Sequence, residues 1–143
     1  MPFTFDNRVG RLVEIVITGS LSDDEAQQFR TKMFLTLSNL PGRGVLIGDL
    51  RSCKRFSSEI GDKMVTMMKQ DTPKIERSAF LVQDNVFAQQ VERIVADAAR
   101  AARAAGRPPP PRQSFRDVRA MHSWLGEVLD DAERARLVAA FPE

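Results

Sequence analysis

Few residues in this chain have a type and spacing that could do chemistry. Cys53 is the only cysteine, His122 the only histidine, and tyrosine is absent. Multi-histidine metal sites, Cys/His zinc clusters and tyrosine acid–base chemistry therefore lack their parts. Basic Lys54 and Arg55 follow Cys53 and favour a thiolate, but Glu59 stands six residues on, where a phosphate-binding nucleophile loop needs arginine. His122 has only Ser123 beside it, a spacing that makes no nucleophile–base pair. Asp49, Cys53 and Asp84 are the clustered reactive candidates, and no base, metal set or oxyanion arrangement can be named around them. The expectation is a non-enzymatic protein with no cofactor and no metal ligands.

The most informative stretch joins Asp49-Leu50-Arg51 to Phe56-Ser57-Ser58-Glu59. An aliphatic run ends there and a helix begins, and open α/β sheets take ligands outside the carboxyl ends of their strands. Asp49, Arg51, Ser57, Ser58, Asp84 and Asn85 should gather at that edge as a binding or interaction surface. Exposed amides at a helix N-terminus attract phosphate or carboxylate, and Ser57 or Ser58 is a candidate phosphoacceptor. The simpler reading makes the serines helix caps.

The elements that must position these residues follow from periodicity. Phe3 and Phe5 alternate with polar residues, Asn7-Arg8-Val9-Gly10 can turn, and Leu12 to Ile17 is a β-branched run, which predicts a hairpin. Ser22-Asp23-Asp24-Glu25 fits a capping box, opening a helix with Ala26, Phe29, Met33, Leu37 and Leu40 on one face. Val45 to Leu50 is too short for a helix and lacks alternation, as expected of a parallel strand covered on both faces. A serine-capped helix carrying Ile60, Met64, Met67 and Met68 follows, then a strand from Ser78 to Val82. Asp84 or Asn85 caps a third helix with Val91, Ile94, Val95 and Ala98 inward. Pro108 to Pro111 forbid helix, Phe115 supplies a short edge strand, and two amphipathic helices close the chain. The alternation predicts an α/β fold with a mixed, mainly parallel sheet of four to five strands joined by right-handed crossovers. We read residues 1–143 as one domain, with a proline-rich connector at 107–112 and a helical extension at 114–143.

With 21 basic and 19 acidic residues in 143, the charge is too balanced for a nucleic-acid binder. Arg93, Arg100, Arg103 and Arg107 share a helix face, but Glu92 and Asp97 interleave and no aromatic accompanies them, as on a solvated surface. Met64, Met67 and Met68 read as core filler or as the lining of an adaptable apolar pocket. No apolar run approaches the roughly 18 residues of a membrane span, Met1 to Asp6 lacks the basic start of an export signal, and a lone cysteine suits a reducing compartment. The expected setting is cytoplasmic. The expected partner is a protein, with a homodimer left open, and the alternative is a small lipophilic or anionic ligand seated between the methionine helix and the sheet.

The order hairpin, helix, strand Val45 to Leu50, serine-capped helix, strand Ser78 to Val82, helix resembles the STAS superfamily of sulfate-transporter and anti-sigma-factor-antagonist domains. Phe115-Arg116-Asp117, Ala120 and Trp124-Leu125 look like the end of small bacterial STAS-like proteins related in shape to CRAL-TRIO lipid-binding domains. The resemblance implies a regulatory, protein-binding signalling module. In anti-sigma-factor antagonists a strand ending Asp-Leu leads to an Asp-Ser-Ser-Gly segment whose serine is phosphorylated by a partner kinase; Asp49-Leu50 and Ser57-Ser58 match in outline. Phe56 replaces the Asp and Glu59 the Gly, and a negative Glu59 repels an incoming phosphoryl group.

Overall fold

The computed structural model describes residues 2–143; Met1, which opens the stretch read above for an export signal, lies outside the described residues. Strands β1 (Phe3–Val9) and β2 (Leu12–Gly19) form the antiparallel hairpin. The turn is tighter than the sequence suggests. β1 runs to Val9 because Gly10 takes a positive φ of 53° and the Asn7 amide donates to the Gly10 and Leu12 carbonyls, at 2.9 and 2.8 Å.

Helix α1 (Asp23–Ser38) leads to β3 (Gly44–Cys53), α2 (Ser58–Asp71) and a 3-10 turn at Thr72–Lys74 lead to β4 (Ile75–Leu81), and α3 (Asn85–Ala104) leads to β5 (Arg112–Phe115). The five strands lie in sequence order, with β2 to β5 all parallel. In particular β3 and β4 run side by side in one direction, Leu46 opposite Ser78. Right-handed crossovers that always step the same way put α1, α2 and α3 on a single face. Helices α4 (Val118–Gly126) and α5 (Asp131–Ala140) cover the other face.

Alternation along the strands sorts the core accordingly. Val13, Ile15, Leu46, Leu50 and Val82 meet the front helices. Leu12, Val45, Ile47, Ala79 and Leu81 meet α4 and α5. Cover on both faces is why β3 reads as an unbroken apolar run.

Each helix begins on a side-chain cap. Ser22 and Glu25 complete the expected capping box, Ser57 rather than Ser58 caps α2, Asp84 rather than Asn85 caps α3, and Asp117 and Asp130 cap the last two. Arg112 belongs to β5 rather than to the proline connector, and Arg107 lies beyond the end of α3 instead of on its face.

The back helices are fastened by polar contacts. Glu133, 2% exposed, accepts from the backbone N–H groups of Asp130 (2.9 Å) and Arg11 (2.7 Å). Arg136 grips Glu14 with two hydrogen bonds of 2.8 and 2.7 Å. Arg77 donates to the Trp124 carbonyl at 2.8 Å while its guanidinium lies over the indole. His122 is part-buried with Nε2 2.7 Å from the Phe141 carbonyl oxygen.

Candidate functional site

The strand ends that were expected to form one surface lie at one edge, but most of their side chains already have local work. Asp49 accepts from the Arg51 backbone N–H and guanidinium at 2.9 to 3.1 Å. Ser57 accepts from the Ile60 N–H and Asp84 from the Phe87 N–H. Asn85 accepts from Arg116. Alternation sends Leu50 to the front and Asp49 to the back with Ile47, so Asp49 and the Ser57 helix share an edge and not a face. Of these six edge residues, Ser58 alone is exposed with no side-chain hydrogen bond among the described residues.

Cys53, half-buried beside this edge, has its thiol pushed up to about 11 by burial, so it is almost wholly protonated at neutral pH. Among the described residues no group of three or more His, Cys, Asp or Glu is placed to hold a metal ion.

A second feature lies deeper. Between α1, α2, α3 and the sheet is an apolar cavity of about 60 Å³. Met33 from α1 and Met64, Met67 and Met68 from α2 line it, facing Ile15, Leu46 and Phe80 from the sheet. Gly48 forms part of the floor, where a Cβ would come within 3.3 Å of the Phe80 ring. Phe56 closes the end nearest the strand carboxyl termini. Its backbone N–H donates to the Gln90 side chain at 3.0 Å, its carbonyl accepts from the same amide at 2.7 Å, and its ring packs edge-on against Phe87 at 5.5 Å.

The opposite end is polar. Asp71, 6% exposed, lines the cavity with Oδ2 unpartnered, and Arg112 lines it with Nη1 unpartnered. The two do not form an ion pair; Arg112 Nη2 instead donates to the Met68 carbonyl at 2.9 Å. Burial pushes the Asp71 carboxyl up to about 6, against the opposing pull of Lys74, Arg112 and Arg30. Burial likewise brings Arg112 down to about 10, partly offset by Asp71.

Sequence reasoning named the methionines as a pocket lining but missed Asp71, Arg112, Phe56 and Gln90. For Asp71 a signal existed: it falls three to four residues past Met67 and Met68, on the apolar stripe of α2.

The sequential sheet, three crossover helices on its front and helical extension behind define a STAS-like α/β fold, of the SpoIIAA-like kind. No protein-family model matches the chain, and no curated protein matches it. Among solved structures it is similar to an uncharacterised protein of the DUF3478 family with a SpoIIAA-like fold from Shewanella loihica PV-4. The likeness has a TM-score of 0.60 at 15% identity, covering 86% of this chain and 93% of that one. It is a likeness of fold. No helix among the described residues is long and apolar enough to cross a membrane.

Proposed function

We propose that this chain is a non-enzymatic STAS-like module that holds a small, mainly apolar molecule in its front-layer cavity, as a carrier or sensor. The observation that supports this most strongly is the methionine-lined apolar space between α2 and the sheet. Protein interiors ordinarily close such gaps, since unfilled space forfeits packing contacts. A water needs roughly 10–15 Å³ and two or more polar partners; the space has the volume for several, but its lining is apolar except at one end. Unbranched methionines re-rotate at little cost, so the cavity can widen around a guest larger than its empty volume.

Native mass spectrometry of gently purified, full-length protein tests the reading. A small-molecule adduct released on denaturation is the expected result; a clean apo mass contradicts it. A second reading, a protein-association module at the β3 edge, draws support from the exposed and unengaged Ser58 hydroxyl. It predicts a co-purifying protein and a phosphorylated fraction at Ser58 in the native source.

A further inference from the structure

We infer that Asp71 and Arg112 form a head-group clamp at the inner end of the cavity, selecting an apolar alcohol over the corresponding carboxylate. The inference rests on the cavity reading above and adds the ligand's chemistry. A buried polar atom with no partner costs free energy that a suitable guest recovers. Two residues that line one cavity each carry such an atom, and the two atoms ask for opposite things. Arg112 Nη1 carries hydrogen to donate, and an ionised Asp71 Oδ2 accepts.

A hydroxyl satisfies both with a single atom, accepting from Arg112 and donating to Asp71. It is also small enough for a space of about 60 Å³. A carboxylate suits Arg112 but brings a second negative charge to Asp71. The charged groups acting on Asp71 are Arg30 from α1, Lys74 from the 3-10 turn and Arg112 from β5, all favouring its ionised form. Desolvation outweighs them, so the carboxyl takes up its proton near pH 6 and the repulsion falls away below that. Above it, the alcohol is preferred.

The test uses full-length protein with labelled methionine methyl groups and three probes: 1-pentanol, pentanoate and benzene. Met33, Met64, Met67 and Met68 report on the cavity, and Met121, behind the sheet, is an internal control. At pH 8, pentanol should shift the cavity methyls with a Kd at least about tenfold below that of pentanoate. At pH 6, where pentanoate is still ionised but Asp71 is about half protonated, the gap should narrow, and Asp71→Asn should admit pentanoate at pH 8. Equal affinities for pentanol and pentanoate at pH 8, or selectivity unchanged in D71N, overturn the clamp. If benzene binds and pentanol gains nothing over it, the clamp fails while the cavity reading stands. If none of the three binds, both fail. Should D71N not fold, the wild-type pH series decides the matter alone.

Discussion

The two faces of the sheet handle buried charge in opposite ways. Behind it, Glu133 and Glu14 are nearly inaccessible and hydrogen-bonded twice over, so each charge fixes the position of a helix. In front of it, Asp71 is as buried as Glu14, yet one of its oxygens has no partner and it opens on a cavity. The back has an orphan of its own, Arg77 Nε, but the other guanidinium contacts of that residue reach the Trp124 carbonyl and Glu127 and its plane rests on the indole. A buried charge that is fully bonded builds structure. One left incomplete beside an empty apolar space is a place for something else to bind.

The contrast can be broken most forcefully from behind. Glu133→Ala leaves the Arg11 and Asp130 amides without their acceptor, while the Arg11 guanidinium keeps Glu76 at 3.2 Å, and it should cost about 2–4 kcal/mol in chemical denaturation. In front, the sign reverses. The folded pKa of Asp71 lies above its unfolded value of 3.8, at about 6, so the folded state holds the proton more tightly and stability falls as pH rises between those values. Asp71→Asn should therefore gain about 2–3 kcal/mol at pH 8, with the gain gone below about pH 4; a loss at pH 8 would place Asp71 among the structural charges.

A smaller effect comes from Gly10. Its φ of 53° disfavours a side chain, and a Cβ there would meet Glu133 Oε2 at 2.3 Å. Gly10→Ala should cost about 2 kcal/mol and loosen α5, measured by denaturation and by faster amide exchange in that helix. Smallest is Ser57→Ala, which removes one cap bond and should cost about 1 kcal/mol while leaving ligand affinity unchanged.

Much of this architecture was legible in the residues. The aliphatic run at Val45 to Leu50, the capping box at Ser22 and the prolines at 108–111 each act through local physics, and the mainly parallel sheet followed from the alternation of strands and helices. The edge residues were legible as a group because strand ends are topological positions. What they bond to was not, since Arg51 turning back on Asp49 and Arg116 reaching Asn85 depend on side-chain directions. The cavity was half legible. Methionines at helical spacing announce an apolar stripe, but whether three helices close on it or leave space is decided by volumes from distant segments. Arg112 was hidden because a basic residue after four prolines reads as the end of a linker, and only strand pairing with Ser78 turns it inward.

The most direct measurement is crystallographic. Crystals of the full chain under xenon pressure should show a xenon site in front of the sheet, among Met64, Met67, Ile15 and Phe80, and none between the sheet and α4 or α5. A filled site behind the sheet, or a front layer that admits no xenon, would contradict the assignment of the front face as the ligand chamber.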